Sequence, residues 1–346
     1  MILSFLCPLI RTTHWFVRGF DFLRLQVLVI TVIYCSLGFL LLSNSWLVLG
    51  VILLSLANII SDIYRIGPYT KLFAVESKKA KVKDKNFKVL SGNVFIDNKK
   101  YERLLSLVHK EKPDVLLLLE TDHKWSEAVC ELQEKFAYYK LLPQDNTYGM
   151  LLFSNYKLSD IEVNHLVDDR VPSLYAKVEI DEASFFHLFC VHPRPPRPNE
   201  ASSLQRDGEL VAISKRIKKL NSEATLVVGD LNDVAWSHTT RLFKRLSGLL
   251  DPRVGRGFYN TFPVKYKLLA CPLDHVFHSK ELELTELRVL DDIGSDHLPI
   301  TVSFNFLQKK LAGKDRDDLT KKDQKEAKEI SGDAKDWEEP DEEVDS

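Results

Sequence analysis

The chain has 346 residues, 45% hydrophobic and 28% charged, with 14 Gly, 14 Pro, 5 Cys and a formal net charge of −2. This composition excludes collagen-like, disulfide-stapled and wholly disordered chains, and the mean hydropathy of −0.14 excludes a polytopic membrane protein. The near-neutral total conceals three zones, with net charges of +6 for residues 1–85, −3 for 86–307 and −5 for 308–346.

In the first zone Leu25 to Leu42 is an uncharged run of 18 residues, which as a helix spans about 27 Å, close to the hydrocarbon core of a bilayer. A polar turn, Ser43-Asn44-Ser45, separates it from a second apolar run that starts at Trp46. The expected organisation is a membrane anchor over residues 1–66 with two transmembrane helices, 25–42 and 46–63. No other segment is apolar enough to partner a buried hairpin in a soluble protein. A secretory signal is not the expected reading, since no basic region precedes the first apolar run and no small-residue cleavage site follows the long one. Arg11, Arg18 and Arg24 precede the first run, and Arg65, Lys71, Lys78, Lys79, Lys81, Lys83 and Lys85 follow the second. This bias places both termini, and the large domain, on the cytoplasmic face of a plasma or bacterial inner membrane.

Residues 67–85 read as a charged linker and 86–307 as the globular domain. Within it NFKVLSGNVF, DVLLLLE, YGMLLFSN, SLYAKVEI, SFFHLFCVH, ATLVVGDLN, PLDHVFHS and LPITVSFNF read as strands. Tyr101 to Lys112, Ser126 to Phe136, Ala201 to Leu220 and Thr240 to Leu246 read as helices. Hairpin-like neighbours without strict alternation favour a layered α/β sandwich with mixed sheets over a doubly wound parallel sheet. Cys130, Cys190 and Cys271 lack motif spacing and read as buried apolar side chains, in keeping with a reducing compartment. Residues 308–346 form an acidic tail expected to be disordered or partly helical, with no core role and no identifiable protein partner.

Polar residues fall repeatedly at strand ends: Asn93, Glu120, His192, Asp230 with Asn232, Asp274 with His275, and Asp296 with His297. One acid after an apolar run is usually a cap, but a series restricted to Asn, Asp, Glu and His is a site in the making. The oxygen-rich set suits Mg²⁺ or Mn²⁺ rather than zinc, for which neither clustered cysteines nor HExxH is present. A serine hydrolase lacks its GxSxG elbow around Ser91 or Ser295.

Taken in order, SGNV, LLLLE, VH, GDLN, LDHVF and GSDHLPI resemble the endonuclease/exonuclease/phosphatase superfamily of DNase I-like proteins. GDLNDVAWSHTTR and HPRPPRP, with the apolar hairpin, are similar to its bacterial membrane-anchored, YafD-like branch. The resemblance covers residues 86–307 and implies a four-layer α/β sandwich of two packed mixed sheets, and Mg²⁺-dependent attack of water on a phosphoester (Mn²⁺ being an alternative metal). By position it implies Glu120, Asn93 and Asp296 at the metal, Asp230 orienting the attacking water, and Asn232 and His192 on the phosphate. It implies His297, oriented by Asp274, as acid or charge stabiliser. Tyr148 lies one position away from the tyrosine of some nuclease relatives, and Phe95 and Ile96 replace an acid found after the Asn in others.

The net charge of the domain lacks the basic excess of a protein that tracks a duplex. The expected function is therefore a membrane-tethered phosphoesterase with a lipid-linked or membrane-proximal substrate. The alternatives are a nuclease acting on nucleic acid and a catalytically inactive membrane scaffold.

Overall fold

The computed structural model describes residues 7, 10, 12, 14–41, 46–81, 84–196, 203–220, 223–307 and 319–335. The predicted turn at 43–45, Arg197 and the acidic end from 336 onward lie outside the described residues.

Two sheets form the centre. One has six strands in the order β10-β11-β1-β2-β4-β3: Leu282–Val289, Ile300–Phe306, Asn86–Asn93, Val115–Leu119, Met150–Ser154 and Tyr138–Leu142. The other has five in the order β5-β6-β7-β8-β9: Lys157–Asn164, Ser173–Asp181, Ser184–Val191, Thr225–Asp230 and Asp274–His278. The alternation of side chains along each strand explains the unbroken apolar runs. Leu117 and Leu119 of β2 point into the inter-sheet core with Val89, Leu188 and Val228, whereas Leu116 and Leu118 pack outward on Leu104, Leu107 and Trp125. On the opposite face Phe189, Val191 and Val227 pack against Leu210, Ile213, Ile217 and Phe243. The result is helix, sheet, sheet, helix, as the sequence predicted.

Each sheet contains one parallel pair linked through a helix. β1 and β2 are parallel neighbours on either side of a helix, Tyr101–Glu111, and β7 and β8 flank another, Leu204–Lys219. Parallel strands require such crossovers, and their carboxyl ends point the same way. These two pairs therefore deliver Asn93, Glu120, His192 and Asp230 to one edge of the sandwich.

At the N-terminus α1 (Trp15–Phe22) precedes α2 (Arg24–Leu41) and α3 (Trp46–Ile66). The stretch Val48–Tyr69 is long and apolar enough to cross a membrane; Trp15–Phe22 and Arg24–Leu37 pass the same test together but are bent by 67°. α2 and α3 pair antiparallel, with Arg24 bonded to Asp62 at 2.7 Å and Asn58 reaching Thr31 at 3.4 Å.

Three sequence expectations change. The linker is not free: Tyr69 donates to Ala235 O, Ser77 hydrogen-bonds His278, and Lys79 bridges Leu284, so residues 67–80 lie against the domain. The tail, expected to have no core role, packs through its helical part, Lys321–Lys335, which buries Ala327 and Ala334. It docks through Arg245–Asp323 at 2.9 Å and a His238–Glu326 pair, which its alternating charges permit and its few apolar residues concealed. Of the domain cysteines, Cys190 and Cys271 are buried but Cys130 is exposed, because the helix expected over 126–136 breaks there into His123–Ala128 and Leu132–Lys135.

Candidate active site

The site is assembled around one oxygen. Asp230 Oδ2 accepts from Asn93 Nδ2 at 3.2 Å and lies 3.5 Å from His297 Nε2 and 3.9 Å from His192 Nε2. Asn93 Nδ2 also donates to Glu120 Oε1 at 2.8 Å, so one amide joins the two carboxylates. The other ring nitrogen of His297 pairs with Asp274 Oδ2 at 2.9 Å. Asp230, Asp274 and His297 can bring one ligand atom each within 4.8 Å of one another.

Backbone geometry makes this convergence possible. Gly229, at φ 151°, pairs with Val191, and a Cβ there would stand 1.9 Å from the Val191 carbonyl oxygen. Only glycine lets β7 and β8 approach closely enough to set His192 beside Asp230. Glu120 at φ 59° and Asn232 at φ 50° occupy the left-handed region. For the non-glycine Glu120 this costs about 1–3 kcal/mol, a strain typical of functional positions.

The electrostatics follow from burial and neighbours. Burial works against charge on His297, but Asp274 and Asp230 outweigh it and raise its pKa to about 10, so it is an imidazolium. Burial pushes Asp230 up, opposed chiefly by His297, and pushes His192 down, leaving that ring neutral. Burial also raises Glu120, and the nearby charge of Asp296 adds to it, while the Asn93 amide opposes it. Asp274 Oδ1 and His192 Nδ1 are buried without a hydrogen-bond partner among the described residues. Two carboxylates at the His297 ring, a third joined to them through Asn93, and one orphaned oxygen on Asp274 make a pocket that suits a divalent cation.

Some predicted residues stand apart. Asn232 does not reach into the cluster with its amide, which donates to Pro193 O at 2.9 Å while its backbone N–H bonds Asp230 Oδ1 at 2.8 Å. Asp296 is exposed at the edge of the site, near enough for its charge to act on Glu120 and His297, with its side chain touched by the Ser295 hydroxyl at 3.4 Å. His275 is structural, bonded to Asp233 O and to Arg253. Asn98 closes a turn onto Lys100 N. The Tyr148 ring lies 5.5 Å from His192, so it borders the site although its motif is shifted. Arg194 is paired with Asp168 at 2.7 Å.

Sequence reading gave three contributors no role in the site. Ser295 accepts from His297 N and donates to Asn93 O at 2.8 Å, tying the last loop to β1. Phe262 covers His297 at 4.7 Å between ring centres. Arg253 donates to Asp274 O and is held by Asp251. None has a local sequence signal, apart from the position of Ser295 inside GSDHLP.

The sequence model of the Endonuclease/Exonuclease/phosphatase family matches residues 90–297, more than half of the chain. Comparison with curated proteins returns no match. Among solved structures, the chain is similar to an endonuclease/exonuclease/phosphatase from Bacteroides vulgatus, with 14% identity and a TM-score of 0.52, covering 64% of this chain and 99% of that one. It is also similar to truncated TDP2 of Caenorhabditis elegans, with 12% identity and a TM-score of 0.52, covering 65% and 100%. A humanized D. rerio TDP2 gives 17% identity and a TM-score of 0.50 over 64% and 100%. At these identities the likeness is one of fold.

Proposed function

Because the chain belongs to the Endonuclease/Exonuclease/phosphatase family and is a metal-dependent phosphoester hydrolase, we propose that it works tethered to a membrane, on a lipid-linked or membrane-proximal phosphoester. The chemical half of this reading is carried by the convergence of Asn93, His192 and His297 on Asp230 Oδ2. The tether is supported by the apolar helix pair, whose residues Leu49, Leu53, Leu56, Ile60 and Ile63 are exposed. The negative domain charge argues against a nucleic-acid track. Motifs and hairpin together fit the YafD-like, membrane-anchored branch.

In this reading Asp230 accepts the proton of the attacking water and holds it by hydrogen bonding before transfer. His297, charged and locked by Asp274, faces the growing negative charge of the phosphoryl group and returns a proton to the leaving oxygen. Neutral His192 donates from Nε2 to a phosphate oxygen, with Asn232 shaping the turn beneath it. Asn93 keeps Glu120 and Asp230 in register. A divalent cation, Mg²⁺ or Mn²⁺, held by Glu120 with Asn93 and Asp296 beside it, supplies Lewis-acid polarisation of the phosphoryl oxygen when bound.

The test is a panel of plasmid DNA, phospholipid and polyprenyl pyrophosphate offered to the purified full chain with Mg²⁺. Turnover of a lipid phosphoester that is lost in Asp230→Ala and His297→Ala is the expected result. Nicking of plasmid well above lipid hydrolysis would make the chain a nuclease, and no turnover of anything would leave a scaffold. The cytoplasmic placement rests on the lysines and arginines flanking the hairpin. Exposed Cys130 provides its test: labelling by an impermeant maleimide in intact cells would put the domain outside.

A further inference from the structure

We propose that the loop Val264–Ala270 is a lipid-contacting tongue that holds the rim of the active site against the bilayer, an inference that rests on the membrane-tethered reading above. Its sequence, VKYKLLA, alternates lysine with apolar residues. At its tip Leu268 is 90% exposed, Tyr266 55% and Leu269 46%. Single exposed leucines are ordinary, but three large apolar side chains on one short loop with Lys265 and Lys267 are not scattered. This is the pattern of an interfacial segment, with apolar tips entering the acyl boundary and lysines reaching up to phosphates.

Two further observations indicate what covers the loop. Gln26 Nε2 donates to Leu268 O at 2.7 Å, which fixes the tip to the first turn of α2. The exposed apolar face of that helix, with Val29, Ile30, Ile33 and Leu37, begins one turn later. The tip therefore lies at the level where the span would enter lipid.

The base of the loop is part of the catalytic edge. Phe262 and Cys271 exchange backbone hydrogen bonds of 3.1 and 2.6 Å, closing the loop. Val264 N donates to Asp296 O at 3.0 Å, Leu298 N donates to Thr261 O at 2.9 Å, and Thr261 Oγ1 accepts from Asp274 N. With the Phe262 ring lying 4.7 Å from that of His297, a tip seated in lipid sets the height of the catalytic histidine above the membrane.

The test uses the full chain in vesicles of phosphatidylethanolamine and phosphatidylglycerol, some with brominated acyl chains. Leu268→Trp should add a fluorescence component that brominated lipid quenches, whereas Tyr138→Trp, on the distal edge strand β3, should not. Absence of that quenching in protein that floats with the vesicles would overturn the proposal, as would failure of the chain to float with them. In a second arm, Leu268→Asp combined with Leu269→Asp should slow hydrolysis of a vesicle-borne phosphoester about tenfold, with a soluble nitrophenyl phosphodiester unchanged within about twofold. Equal loss on both substrates, or no loss on either, would overturn it. An active site that turns over neither substrate in the parent chain refutes the proposed activity, and the quenching arm still decides the tongue.

Discussion

The two ring nitrogens of His297 face different carboxylates: Nδ1 lies 2.9 Å from Asp274 Oδ2 and Nε2 lies 3.5 Å from Asp230 Oδ2. One partner fixes the ring and the other shares its reacting side. Asp274→Asn keeps the shape and removes the charge that holds the imidazolium. Turnover should fall about 10²–10⁴-fold with a much smaller change in KM. Combined with His297→Gln, the loss should be far from additive, since the two side chains act as a unit. Steady-state kinetics of the single and double variants check this.

The Asn93 amide hydrogen-bonds both Glu120 and Asp230. Asn93→Ala should weaken divalent-metal affinity about 10–100-fold by freeing Glu120 to turn away. Calorimetric titration with Mn²⁺ reads this directly, independently of turnover.

Gly229→Ala puts a methyl group 1.9 Å from the Val191 carbonyl oxygen at a φ of 151°. The parallel pair β7–β8 must separate, at a cost of more than about 1 kcal/mol. Urea unfolding of the detergent-solubilised chain should show the loss, together with reduced activity, because His192 and Asp230 move apart.

Buried neutral histidines make the fold acid-sensitive. Burial, reinforced by Arg253, lowers the pKa of His275 from 6.5 to about 3, and burial lowers that of His278 to about 4. A folded-state pKa below the unfolded one means that unfolding takes up protons. Their contribution to stability is complete above 6.5 and is lost progressively as pH falls toward 3–4. The urea midpoint should therefore drop between pH 7 and pH 4.5, and His275→Gln should flatten that dependence.

The helix Lys321–Lys335 covers Leu204–Lys219, where Lys215 donates to Ser331 at 2.6 Å and Ala334 packs on Gly208, and His238–Ser247, through Arg245–Asp323 and His238–Glu326. Ending the chain after Leu307 should cost about 1–3 kcal/mol, since partly exposed ion pairs contribute little each and the buried alanines add packing. Thermal unfolding and faster proteolysis of the uncovered helices report it.

The amino-acid pattern by itself determined the layered class, the strands buried on both faces, and the polar residues at their ends. These are local consequences of side-chain period, and motifs such as GDLN and SDHLP sit where strands stop. It did not reveal β3, a half-exposed edge strand, nor β5 and β10, whose two-residue period is broken by register shifts at Ser159/Glu162 and Leu284/Glu286. Nor did it reveal Arg253, Phe262 and Ser295, which reach the site only because distant loops fold over it. Tertiary structure decided that Asn93 bridges two carboxylates rather than standing beside one, and that Asn232 turns its amide to Pro193 O. It also decided that the tail packs on the domain. Sequence periodicity reports which face of an element is apolar; only the folded chain sets the distances, and those distances are what make Asp230 and His297 a pair.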